Sequence, residues 1–255
     1  MKGSAHRIRA RRAATARLQD LIGYRADSDL AWAPICAAVT AGADPDIRSG
    51  DGGMTLLMRA ARLNADRPDL IDTLLSHAAA INLRDKAHRT ALMHAAAMGN
   101  TAVVNRLLAA GALVQDQDID GWTALMYAAR YGRTNALAAL LAVPHLPVDQ
   151  RDFSGWTALR HVVVMGTTES MSLLVGHGAD LCASSACGRT FLAICEDRGR
   201  QDLVIALDET LSTAALAATR DRLWQSLDPA CARRLLPRTA AIQRNPSVWN
   251  RSQSP

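Results

Sequence analysis

The chain has 255 residues, 49% of them hydrophobic and only 4% aromatic, with five cysteines and a formal net charge of +5. That apolar share excludes wholesale disorder, and no apolar run approaches the roughly 18 residues that a membrane span needs. An odd, scattered cysteine set does not form a disulfide framework and points to a reducing compartment, so a cytoplasmic location is expected, with a secreted bacterial effector as the alternative.

Charge is segregated along the chain. Residues 1–19 carry six cations (Lys2, Arg7, Arg9, Arg11, Arg12, Arg17) and no acid. Residues 220–255 carry seven arginines and two aspartates, which leaves the stretch between acidic. "MKGSAHRIRARRAATAR" has no apolar core of the secretory type, and residues 1–16 are expected to be a flexible basic tail. Such a tail is either solvated or an electrostatic tether to nucleic acid, an anionic membrane or an acidic partner. Its arginines without acids also fit a mitochondrial targeting peptide, but hydroxyl residues are few.

Next, "RLQDLIGYR" predicts a first helix and "AAVTAGADPDIRSGDGG" the end of a unit. From there the chain repeats. Thr55, Thr90, Thr123, Thr157 and Thr190 are spaced by 35, 33, 34 and 33 residues. Two residues after each Thr stands a Leu (57, 92, 125, 159 and 192), and two before stand Gly53, His88, Gly121, Gly155 and Gly188. Nine after come Asn64, Gly99, Gly132, Gly166 and Gly199, the residues a left-handed helix terminus favours. A second amphipathic helix follows in each unit ("VVNRLLAAGA", "ALAALLA", "MSLLVGHGAD"). "DLIDTLLSHAAAIN" fits the same frame with Ala78 in the turn-glycine position.

"DIDGWTALMYAA", "DFSGWTALRHVV" and "GHGADL" resemble the ankyrin repeat, whose pattern is Asp-x-x-Gly-x-Thr-Pro-Leu-His-x-Ala-Ala followed by Gly-Ala-Asp-x-Asn. The resemblance covers residues 17–210. It implies an all-α solenoid of stacked helix-turn-helix units with hairpin-like turn tips. The frame gives a domain at 17–212, with units at 17–49 (a cap), 50–84, 85–117, 118–151, 152–184 and 185–212. The motif proline is Ala91, Ala124 and Ala158. The motif histidine is Met58, Met93, Met126, Arg160 and Ala193, so the family's Thr-His bonding is expected to be missing, with packing in its place. One unit cannot bury its apolar side alone. Stacking should join Leu57, Leu92, Leu125 and Leu159 with the paired alanines 60/61, 95/96 and 128/129.

Beyond Thr190, "LVIALDET" predicts the last second helix. Ser212 can cap a helix to Leu227, and Asp228-Pro229 can open another, giving a helical extension at 213–237. Residues 238–255 are polar and expected to be disordered.

Catalytic and metal chemistry is not signalled. "DQDIDG" (116–121) imitates a calcium loop, but its twelfth position is Tyr127 instead of a bidentate Glu. Cys182, Cys187 and Cys195 have no zinc-ligand spacing, and Cys195 holds a core alanine position. His77 and His177 sit at the ends of second helices, where the dipole suits them. We expect no catalytic, cofactor or metal residues and a monomer.

The resemblance implies a concave protein-binding face at the turn tips and first helices, with variable contacts at fixed offsets from the Thr. Those offsets single out Ile119, Trp122, Tyr131, Phe153, Trp156 and Met165 as a cluster over two adjacent units, flanked by Lys86, Arg89, Arg189 and Arg198. "GWTAL" occurs twice, so two tryptophans share one offset. They either bind a partner or stack on each other to brace the turns; binding is the favoured reading. The expected function is a non-catalytic protein-interaction module (adaptor, inhibitor or effector). The alternative is a nucleic-acid or anionic-surface binder acting through the basic ends.

Overall fold

In a computed structural model, residues 2–22, 32–63, 68–181 and 191–211 are described. These hold twelve helices: α1 (Lys2–Ile22), α2 (Trp32–Thr40), α3 (Leu56–Arg62), α4 (Pro68–Ser76), α5 (Ala91–Met98), α6 (Thr101–Ala109), α7 (Ala124–Arg130), α8 (Thr134–Leu141), α9 (Ala158–Met165), α10 (Thr168–Gly176), α11 (Phe191–Asp197) and α12 (Gln201–Leu211). Among the described residues there is no strand, only an isolated bridge between Ser49 and Met54 at one turn tip. The expected extension at 213–237 and the tail at 238–255 lie outside the described residues.

The helices pair in chain order and stack in two layers. The odd-numbered helices from α3 to α11 pack in series, and the even-numbered ones from α2 to α12 form the second layer. Leu57, Leu92, Leu125 and Leu159 are at most 4% exposed, and the alanine pairs of α3, α5 and α7 are buried beside them. Each buried Leu contributes about 1.5–3 kcal/mol, and the small alanines let neighbouring first helices approach closely. In α9 the pair is Val162 and Val163, both buried.

The basic segment forms the first half of α1, whose far end carries buried Leu18 and Ile22. Thr15 Oγ1 accepts the Asp44 N–H at 3.1 Å and ties the helix to the turn after α2.

Left-handed backbone falls where the repeat predicts it, even without glycine. Ala78 (φ 62°), His145 (φ 58°) and His88 (φ 60°) adopt the conformation that glycine holds at the matching positions of other units. Gly166 is the exception. Its φ is −71°, and a Cβ there would lie 2.6 Å from Val162 Cα and 2.7 Å from the Ala129 carbonyl. Glycine is needed at 166 for close packing, because a Cβ there would strike the backbone of Val162 and Ala129 as well as the Val162 side chain.

Neighbouring units are joined by ties. The Lys86, Ile119 and Phe153 N–H groups donate to the carbonyls of Gly52, Ala87 and Asp120 on the preceding tip at 2.9–3.1 Å. At the other end of the first helices, Asn100 donates to the Leu63 carbonyl, Arg133 to Ala97, and Arg200 to Val163 and Gly166. All three stand ten residues after a repeat Thr, and each satisfies a helix-terminal carbonyl of the previous unit that would otherwise lack a partner.

Candidate functional site

Three successive turn tips are each built around one aspartate, five residues before the Thr. Asp85, Asp118 and Asp152 are each at most 6% exposed. One oxygen of each accepts two backbone N–H groups of its own turn: Ala87 and Arg89, Asp120 and Trp122, Ser154 and Trp156. The other accepts a side chain four residues after the Thr. These are His94 Nε2 at 3.0 Å, Tyr127 Oη at 2.7 Å and His161 Nε2 at 2.9 Å. The Thr side chain still caps its helix in three units, where Thr55, Thr90 and Thr123 accept from the N–H of Met58, Met93 and Met126. Thr157 makes no such bond.

The bonding assigned to the family's histidine therefore has a substitute here, one position later, with the turn aspartate as acceptor. His94 and His161 hold that bond, and packing is not the only tie. The repeated spacing of nine between Asp and His/Tyr carries this signal in the sequence.

These groups have shifted ionisation. Burial drives His94 and His161 below the usual histidine value, against the opposing effect of their aspartates. For Asp85, burial acts to raise the pKa, but the His94 bond and the Arg89 contacts outweigh it and hold the carboxyl at about 2. Burial and the Asp118 bond push the Tyr127 hydroxyl up.

The two tryptophans are half-buried. The Trp122 ring lies 4.3 Å from His161 of the next unit and 5.2 Å from Tyr127, and the Trp156 ring lies 5.5 Å from the same His161. Arg130 covers Trp122 at 4.9 Å and Arg160 covers Trp156 at 4.7 Å. A cation over an indole face already satisfies part of what the ring can offer a ligand. The rings are connected through His161, so they brace adjacent tips as well as line them. Arg130, Arg160 and His161 were not among the expected site residues, although each stands at a fixed offset from its Thr.

The smaller members of the cluster are the open ones. Phe153 is 73% exposed, Met165 61%, Ile119 53% and Tyr131 39%. Ile119 and Phe153 follow each other on successive tips, and Tyr131 and Met165 lie at the ends of α7 and α9. A Cβ on Gly121 would meet the Phe153 ring at 2.8 Å, so this glycine gives the ring its seat. Lys86 is exposed on the tip before Ile119, Arg89 binds Asp85 at 3.0 Å, and Arg198 is exposed beyond α11. Arg189 lies outside the described residues, as do Cys182 and Cys187.

In the acidic loop, Asp116 pairs with Arg84 at 2.8 Å and the Asp118 carboxylate is committed to the turn. Among the described residues no group of three or more His, Cys, Asp or Glu is placed to hold a metal ion. None of the described helices is long and apolar enough to cross a membrane. Cys195 is fully buried, and burial pushes its thiol up to about 12.

No curated protein matches the chain. The family model for ankyrin repeats in three copies matches three overlapping stretches, residues 19–118, 57–152 and 107–185. Together with the two-layer stack of helix pairs and the left-handed turns in register, these matches show that the chain belongs to the ankyrin-repeat proteins, which generally mediate protein–protein interaction.

Proposed function

We propose that the chain is a non-catalytic module that captures a partner protein on its turn-tip and first-helix side, the concave face of the family's solenoid, as an adaptor, inhibitor or effector. One observation carries this. Of six large apolar side chains exposed among the described residues, four (Ile119, Tyr131, Phe153, Met165) fall on the tips and first-helix ends of two adjacent units. Exposed apolar side chains recurring on adjacent units beside charged ones are the composition of a binding hot spot. Lys86 and Arg89 on one side and Arg198 on the other form a charged rim, and Trp122 and Trp156 form its rigid floor. The buried Cys195 thiol and the scattered cysteines support action in a reducing, cytoplasmic setting.

The test is a photo-crosslinking amino acid placed at Phe153 and, as a control on the second layer, at exposed Ile205. The expected result is a discrete crosslinked protein from position 153 that disappears when Met165→Asp is added. Equal crosslinking from both positions, or a product indifferent to Met165→Asp, would overturn the proposal. Exposed positions are chosen because the half-buried tryptophans support the fold, and their loss would confuse binding with stability.

A further inference from the structure

We infer that the basic half of α1 is an arm that binds double-stranded DNA through its phosphates, independently of the protein-binding face. α1 has 21 residues, whereas the other helices have 7 to 11. At 1.5 Å per residue it is about 30 Å long, roughly twice the length of its neighbours. Its second half is anchored in the stack, by Ala14, Leu18, Leu21 and Ile22 and by the Thr15 bond, while Arg9, Arg11, Arg12 and Arg17 are exposed. Six cations and no acid lie between residues 1 and 19, on a body whose residues 20–219 are acidic.

Three features select the ligand. First, the arginines are not on one side. At about 100° per residue, Arg12, Arg9 and Arg17 follow one another around the axis, and Arg11 lies nearly opposite Arg9. A flat anionic bilayer meets one side of a helix, whereas the walls and floor of a duplex groove surround it. Second, the arm lacks the apolar stripe by which a surface helix enters a membrane; between residues 2 and 13 the only large apolar residue is Ile8. Third, cations recur three and four residues apart, at Arg7 and Arg11 and at Arg9 and Arg12, and such like-charged neighbours repel each other on a helix. A polyanion relieves that repulsion. The major groove of B-form DNA admits a helix, while that of A-form RNA is too deep and narrow, so DNA is the duplex that fits. The arm carries no Asn or Gln before Gln19, which leaves phosphate contact without a base-reading amide pair.

The experiment is fluorescence anisotropy of the full chain with a labelled 20-base-pair DNA duplex of arbitrary sequence across a salt series. Engaging the four exposed arginines gives a log–log salt slope of about −3.6, or about 150-fold weaker binding at 200 mM than at 50 mM salt. The triple variant Arg9→Ala, Arg11→Ala, Arg12→Ala should bring the slope close to −1, and Arg→Lys at the same positions should restore it. All three sites are exposed, so the fold is spared. The proposal is overturned by no binding at 50 mM salt, by binding unchanged in the triple alanine variant, or by tighter binding to phosphatidylserine vesicles or to an RNA duplex than to the DNA. Loss of crosslinking at Phe153 leaves this result untouched, because the two surfaces are tested on different side chains.

Discussion

Replacing Tyr127 with Phe removes one oxygen and tests whether the turn aspartates hold the stack together. In the folded chain the Tyr127 hydroxyl donates to Asp118 at 2.7 Å, and Asp118 is 4% exposed. The carboxylate keeps its two backbone donors, so the loss is that of one hydrogen bond to a buried charge, about 1.5–3 kcal/mol. The ring is unchanged. It keeps its contacts with Trp122 at 5.2 Å and Tyr131 at 6.5 Å, so no packing loss is mixed in. A central value of about 2 kcal/mol is a roughly 30-fold change in the folding equilibrium. The assay is urea unfolding followed by far-UV circular dichroism, with hydrogen exchange of the α7 amides reporting the local loss. Tyr131→Phe is the control: that side chain is exposed, and its loss should cost under about 0.5 kcal/mol. If Tyr127→Phe costs no more than Tyr131→Phe, the aspartate–side-chain bond is not a structural tie.

Acidification tests the same device in the neighbouring units. Burial lowers the folded-state pKa of His94 and His161, so the unfolded chain binds more protons. Their contribution is complete above the unfolded value near 6.5 and is lost as pH falls below it, at up to about 1.4 kcal/mol per pH unit for each histidine. Melting temperatures from pH 7.5 to 5.5 should fall in the wild type and stay nearly flat in a His94→Gln, His161→Gln variant; parallel curves would reject the assignment. Gly166→Ala should cost about 1–3 kcal/mol by overpacking against Val162 and Ala129, whereas Gly199→Ala, with open space around it, should cost about 1–2 kcal/mol through its φ of 66° alone. Raising the volume of Val162 further should worsen the first and leave the second unchanged in denaturant titrations. Ala78→Gly should stabilise by up to about 1 kcal/mol, because Ala78 holds φ 62°; a loss of stability would mean that the strain is compensated there. Cys195 should resist iodoacetamide at pH 8 in the native chain and react only as α11 opens, which mass spectrometry can follow with increasing urea.

The sequence by itself determined the repeat, its phase and its core, because each rests on local spacing. A period near 33 places the Thr caps, and two positions later the buried leucines. The turn at Ala78 was legible without glycine, since register and not residue type marks the position, whereas the left-handed His145 was not. Cys195 was legible as core for the same reason. The open side chains Ile119, Tyr131, Phe153 and Met165 were also reached through register, as was the flanking Lys86.

Only the tertiary structure decided what those side chains meet. Trp122 and Trp156 share an offset in the sequence, yet their surroundings come from the next unit and from arginines along their own helices. His161 links them, and Arg130 and Arg160 cover them. Gly166 looked like one more helix-terminal glycine until the close approach of the Val162 and Ala129 backbone made its packing, and not its φ, the constraint. The basic segment showed charge but not shape. The hydrogen bond and apolar contacts that anchor α1 lie in its second half, at Thr15, Leu18 and Ile22, and join it to the rest of the stack.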